Sequence, residues 1–207
     1  MRGIWLKTLC FIVLCASSSL AGAQGWVAVG MEAPIFTLPT SNGETFSLAE
    51  HRGKIVVLEW YNKDCPYVRK HYETGNMQAL QKEYTDLGVV WLSIISSAPG
   101  KQGYMTPEEA LENQREVKSF ATAVGLDPEG GIGRMFKAKT TPHIYIIDAD
   151  GILAYQGAID DTPTADKADV KHAQNYVAAA LDAMLDGEEV VLPVIPPYGC
   201  SIKYADE

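Results

Sequence analysis

One stretch, residues 54–72, constrains this chain more than any other. The apolar run Ile55-Val56-Val57-Leu58 continues through Glu59-Trp60-Tyr61 into Asn62-Lys63-Asp64 and ends on Cys65-Pro66. A short block of β-branched and aromatic residues bounded by polar turn formers reads as a buried strand. Proline is favoured at the first helical position, where its missing N–H costs nothing, so Cys65 is the expected N-cap and Pro66 opens a helix. A cysteine therefore sits where a central strand ends and a helix begins.

That position has chemical consequences. A helix N-terminus presents unpaired backbone N–H groups and a partial positive charge, and both favour thiolate over thiol. The thiolate is the nucleophilic form. Cysteine elsewhere is most often a small buried hydrophobe, and this placement sets Cys65 apart from that reading. Val68, three residues on, stands where a C-x-x-C motif would have its second thiol.

The rest of the chain supplies the frame. Ile35-Phe36-Thr37-Leu38 and Thr45-Phe46-Ser47-Leu48 flank the turn Ser41-Asn42-Gly43 and predict a hairpin. The helix from Pro66 is expected to break at Thr74-Gly75 and stop at Gly88, before a second buried strand over residues 89–95. Thr106-Pro107-Glu108-Glu109 is a capping box, and a helix is expected from there to about Val124. Residues 125–133 read as turns and 134–138 as a short helical turn. His143-Ile144-Tyr145-Ile146-Ile147 and residues 152–157 read as strands joined at Asp150-Gly151. A helix over about residues 167–185 and an extended, proline-rich tail over 188–207 complete the chain. No internal repeat or second domain is visible.

This order of parts resembles the thioredoxin superfamily, and within it the peroxiredoxin-like or redoxin group related to the alkyl hydroperoxide reductase and thiol-specific antioxidant family. The resemblance rests on Ala33-Pro34-Ile35-Phe36 with Leu38, on Cys65-Pro66-Tyr67-Val68 with Glu59 six residues earlier, on Thr141-Pro142 before an apolar strand, and on Tyr198-Gly199-Cys200. It implies an α/β, thioredoxin-like fold: a central mixed sheet flanked by helices, with an N-terminal hairpin and a C-terminal extended tail. It implies a thiol-disulfide oxidoreductase or thiol peroxidase, acting on a peroxide or a protein disulfide, regenerated by a thiol reductant and needing no cofactor.

The resemblance also suggests roles. Cys65 is the expected nucleophile. Glu59 takes the place of the buried acid that thioredoxins keep, whose raised pKa lets it accept the thiol proton; an outward-facing glutamate is the alternative. Thr141 and Pro142 resemble the cis-proline loop that faces the active cysteine, and with Asn62, Pro66 and Tyr67 they are the expected substrate-binding residues. Lys70, His71 and His143 fall near the site; Lys70 and His71 either support a thiolate or simply solvate a helix surface. Peroxiredoxins carry a P-x-x-x-T-x-x-C pattern, and here Leu58 and Asn62 occupy the proline and threonine positions. The hydroxyl that would orient a peroxide is missing there.

Export follows from the N-terminus. Arg2 and Lys7 precede a short apolar core, and Ala21-Gly22-Ala23 is a small-residue cleavage site, so residues 1–23 read as a secretory signal peptide and 24–207 as one redoxin domain, secreted or periplasmic. An uncleaved anchor is the alternative. Cleavage also removes Cys10 and Cys15 and leaves Cys65 and Cys200. In an oxidising compartment these two either form a catalytic pair, with Cys200 resolving the oxidised Cys65, or a permanent disulfide that pins the tail. Loss of Arg2 and Lys7 takes the 17 basic residues to 15 against 26 acidic ones, a formal charge of −11. Such a surface argues against nucleic acid and anionic membrane as partners. Two readings from other classes stand beside the enzyme: a copper-binding module using Cys65, Cys200 and His143, and a non-catalytic scaffold that binds a partner through the proline loop. No metal site is assigned.

Overall fold

The computed structural model describes residues 27–206; the expected signal segment, 1–23, lies outside the described residues. The apolar run forms strand β3 (Val56–Trp60), buried along its whole length. On one side it pairs in parallel with β4 (Val90–Ile95), which pairs in parallel with β5 (Ala123–Leu126). On the other side it pairs antiparallel with β7 (His143–Ile147), which pairs antiparallel with β8 (Leu153–Gly157). The five-stranded mixed sheet thus runs β5-β4-β3-β7-β8, with β3 in the middle. The expected hairpin is β1 (Thr37–Pro39) with β2 (Thr45–Ser47), shorter than the sequence suggests, and Leu48–His51 turns into a 3-10 helix instead of extending it.

Alternation along β3 divides the core, because successive side chains of a strand point to opposite faces. Val57 packs with α1 (Pro66–Glu73), α2 (Asn76–Asp86), α3 (Pro107–Glu116) and α5 (Tyr176–Leu185), through Val68, Met77, Ala110 and Leu181 among others. Val56, Leu58 and Trp60 pack on the opposite face with Leu38 and Phe46 of the hairpin and with Phe136, which follows α4 (Gly131–Met135). Burying both faces is what a strand with no polar alternation requires.

The break between α1 and α2 falls where expected: Gly75 takes φ +78°, a left-handed conformation that favours glycine. Two helices are shorter than expected. The helix from Pro107 stops at Glu116, and Lys118 adopts φ +53°. Residues 123–126, read as the end of that helix and the start of a turn, instead supply the edge strand β5, because ladder bonds to β4 outweigh the weak local helical preference. The segment 167–185 divides as well. A 3-10 turn covers Lys167–Lys171, and α5 starts only at Tyr176, where the Asn175 side chain accepts from Ala178 N at 2.9 Å. The short helix near 134 begins earlier, at Gly131, because the Asp127 carboxylate accepts from the N–H groups of Ile132 (3.1 Å) and Gly133 (2.9 Å).

The tail is extended, as expected, and it is held along its length. Pro193 O accepts from Gln156 N at 2.9 Å, and Ile195 N donates to Gln156 O at 3.1 Å, so the tail first runs along β8. It then forms β9 (Cys200–Ser201), antiparallel to β6 (Thr140–Thr141), with Cys200 opposite Thr141. Beyond it, Lys203 O accepts from Ala98 N at 2.8 Å, and Tyr204 OH donates to Ala138 O at 3.0 Å.

Candidate active site

The strand-to-helix junction places Cys65 at the N-cap of α1 with Pro66 as the first helical residue. Arg69 N donates to Cys65 O at 2.9 Å, the first bond of the helix. Cys65 has no exposed surface. Its Sγ lies 3.0 Å from Thr141 O, on the loop that carries the cis Thr141-Pro142 bond. The pairing of β6 with β9 brings Cys200 to the same place, half-buried, and both cysteines are free.

Burial pushes the Cys65 thiol up, but the Cys200 thiol, the Thr141 side chain and the N–H groups of Val68 and Cys200 all favour its anion, and the balance lies below the ordinary thiol value. No strict capping hydrogen bond closes on Sγ, yet the Val68 N–H approaches it from the first turn of α1. Thr141 Oγ1 is buried without a hydrogen-bond partner in the dithiol form and is the hydroxyl left to answer a thiolate. The Cys200 thiol moves the other way, to about 12, through burial, its hydrogen bond to Cys65 and the charge on Cys65. The two sulfurs are thus unequal: the surroundings favour the anion at Cys65 and the thiol at Cys200.

The other expected site residues sort into two groups. Pro66 and Thr141-Pro142 shape or face the cysteine, and Tyr67 packs edge-on against Tyr198 with ring centroids 5.8 Å apart. Asn62, which stands at the hydroxyl position of the peroxiredoxin pattern, is fully buried and already engaged. Its Nδ2 donates to Gln102 O at 3.2 Å, and its Oδ1 accepts from Asp64 N at 2.9 Å. It holds the loop before Cys65. Glu59 is also fully buried, within four donors: Tyr72 OH (2.9 Å), Gln81 Nε2 (3.2 Å), Trp91 Nε1 (2.8 Å) and Ser93 Oγ (2.9 Å). Burial raises its pKa and the four hydrogen bonds oppose that rise. Cys65 is not among its partners.

Lys70 and His71 are neither surface residues nor thiol partners. Both are fully buried and turn toward Asp160. Asp160 escaped the sequence reading because an Asp/Thr-rich loop looks like any solvated turn. His143 receives Lys139 N at 3.3 Å, and among the described residues no group of three His, Cys, Asp or Glu side chains is placed to hold a metal ion. The trio Cys65, Cys200 and His143 is therefore not assembled.

A family model described as the AhpC/TSA family matches residues 29–156. The chain belongs to the AhpC/TSA family. A Coxiella burnetii protein named for the bcp peroxiredoxins is 32% identical over 136 residues, covering 62% of this chain and 86% of that one. The thioredoxin-like protein YneN of Bacillus subtilis is 28% identical, covering 72% of this chain and 86% of its own. Among solved structures, an uncharacterized conserved protein from Geobacillus kaustophilus superposes with a TM-score of 0.74 at 25% identity, over 87% of this chain and 94% of that one. A DsbE-type thiol:disulfide interchange protein from Chlorobium tepidum shares the fold, with a TM-score of 0.52 at 24% identity over 63% and 84% of the two chains. This AhpC/TSA member is thus a thioredoxin-fold protein of the redoxin-type thiol oxidoreductase and peroxidase family. The matched stretch holds Cys65 and the cis-proline loop and ends before Asp160, Tyr198 and Cys200. No helix among the described residues is long and apolar enough to cross a membrane.

The buried histidines make the fold sensitive to acid. Burial, partly offset by Asp160, lowers His71 to about 4, and burial with the charge of Lys139 lowers His143 to about 3. A depressed folded-state value means that the unfolded chain takes up protons first, near 6.5, while the folded chain does not. Stability is therefore expected to fall as pH drops from about 6.5 toward 4, by on the order of a few kcal/mol. Urea denaturation across that range, compared with His143→Asn, checks this. The variant should lose about one proton from the slope of stability against pH, and an unchanged slope would contradict the assignment.

Proposed function

We propose that this protein is an exported thiol-dependent oxidoreductase that cycles between a Cys65–Cys200 dithiol and the corresponding disulfide. The observation that carries the reading is the register of the tail: Cys200 stands opposite Thr141, whose carbonyl oxygen lies 3.0 Å from Cys65 Sγ. The Cys65 thiolate attacks a peroxide oxygen or a disulfide sulfur. The peroxide O–O bond breaks to leave a sulfenic acid and an alkoxide that takes a proton; alternatively, the S–S bond breaks to leave a mixed disulfide and one thiolate. The Cys200 sulfur then attacks Cys65 Sγ and expels water or the second substrate thiol. An external thiol reductant opens the bond again.

Burial of Cys65 favours a small electrophile over a protein disulfide. Export is supported by the basic start, apolar core and Ala21-Gly22-Ala23 site of the sequence.

The test is a thiol count with intact mass on the chain from Gln24, before and after one equivalent of peroxide and then reductant. The expected result is conversion of two thiols to one intramolecular disulfide and full return. Two thiols that survive peroxide, or a disulfide that mild reductant never opens, would refute the cycle.

A further inference from the structure

Beneath the tail lies a buried polar cluster that the two-thiol cycle does not use. Lys70 on α1 has no exposed surface, and Asp160 is 3% exposed. Lys70 Nζ lies 3.3 Å from Asp160 Oδ2 and donates to Thr162 O at 2.8 Å. Asp160 Oδ1 accepts from Thr162 N at 3.0 Å and from the hydroxyl of Tyr198. The same hydroxyl is 3.3 Å from His71 Nε2, and His71 Nδ1 is 2.9 Å from Asn76 Nδ2, which fixes the imidazole. The Tyr198 ring packs on Tyr67, and Lys70 Nζ sits 5.6 Å from its centroid. One tail residue is thus gripped by Tyr67, Lys70 and His71, all on the helix whose N-cap is Cys65.

Cys200 follows two residues later. The spacer between them, Gly199, has φ +137°, and a Cβ there would lie 2.1 Å from Thr141 O. It runs flat against the proline loop and leaves no slack between anchor and thiol. An ion pair this deeply buried offsets its own desolvation poorly, so stability alone does not account for it. What it does here is hold a tyrosine in register.

We propose that Tyr198 is a positioning residue for disulfide closure: clamped by Asp160 and His71 against α1, it sets the effective concentration of the Cys200 thiol at Cys65. The inference rests on the two-thiol cycle proposed above. A flexible tether delivers effective concentrations near the millimolar range, whereas a held group reaches far higher values. Loosening the anchor moves Cys200 from the second regime toward the first.

The experiment equilibrates the chain from Gln24 with glutathione buffers and reads the Cys65–Cys200 disulfide by acid quench and mass. Tyr198→Phe, which keeps the ring and its packing, should lower the effective concentration about tenfold, as expected for one lost hydrogen bond to a charged group. Tyr198→Ala should lower it about a hundredfold. The closure rate after a peroxide pulse should fall in parallel. The reaction of Cys65 with peroxide, measured in a Cys200→Ser background, should stay unchanged.

Tyr204→Phe is the control, since it removes a tail hydrogen bond on the far side of Cys200. An unchanged constant in both Tyr198 variants, or an equal fall in Tyr204→Phe, overturns the assignment to Tyr198. Failure of the cycle itself is read separately, from the wild-type chain: no Cys65–Cys200 disulfide would form there at all.

Discussion

Cys65→Ser is expected to abolish turnover on peroxide and disulfide alike, by on the order of a thousandfold or more, because the nucleophile has no substitute nearby. Cys200 does not replace it: its thiol is held up at about 12 and stays protonated at neutral pH. Cys200→Ser should behave differently. Cys65 keeps the Thr141 side chain and the Val68 N–H that favour its anion, so the first oxidation still proceeds. The chain then stalls as a sulfenic acid or mixed disulfide and, with excess peroxide, climbs to the irreversible oxides. Intact mass after a peroxide pulse separates the outcomes: one added oxygen and then more for Cys200→Ser, none on Cys65→Ser, and an internal disulfide for wild type. Undiminished turnover in Cys65→Ser would remove Cys65 from the mechanism. Partner binding that survives Cys65→Ser, with no redox activity in wild type, would favour the scaffold reading.

Glu59→Ala is expected to cost about 3–5 kcal/mol, because it opens a cavity in the core and strands buried donors from four side chains. For a domain of this size that lowers the melting temperature by about 10 °C. The residue lies on the central strand, and its oxygens link α1 through Tyr72, α2 through Gln81, and β4 through Trp91 and Ser93. Glu59→Gln keeps the volume and one acceptor oxygen, so its cost should be smaller. A pH dependence distinguishes the charge from the shape. A carboxyl whose folded-state pKa is raised contributes stability below its unfolded value, near 4.5, and loses it as pH climbs through the folded value. The penalty for Glu59→Gln should therefore shrink between pH 4 and pH 7. Thermal melts at both values check it, and a penalty that grows with pH would mean that the cage stabilises the anion instead.

Much of the local structure is legible because its signals are short-range. The apolar run before Cys65-Pro66, the Asn42-Gly43 turn, the Gly75 break and the Thr106-Glu109 capping box each place themselves within a few residues. The misreadings share one cause. Ala123 and Val124 look like the end of a helix until β4 offers them an edge to pair with, and 167–175 look helical until Asn175 supplies a later start. Asn62 is a related case: a polar residue beside the cysteine suggests substrate contact, and only the approach of Gln102 shows both its polar atoms spent on backbone groups.

The sequence by itself determined that this chain carries a thiol at a strand-to-helix junction. Cys65, Pro66 and the run before them encode that within a dozen residues, through helix capping and strand burial. Only the tertiary structure decided what the thiol faces. Thr141 comes from 76 positions along the chain, Asp160 meets Lys70 across 90, and Tyr198 meets His71 across 127. Such contacts leave no periodicity to read, because they depend on the order β5-β4-β3-β7-β8 and on where the tail crosses it. The sheet sets the proline loop against the N-terminus of α1, and the tail then pairs with that loop in the register that brings Cys200 to Cys65.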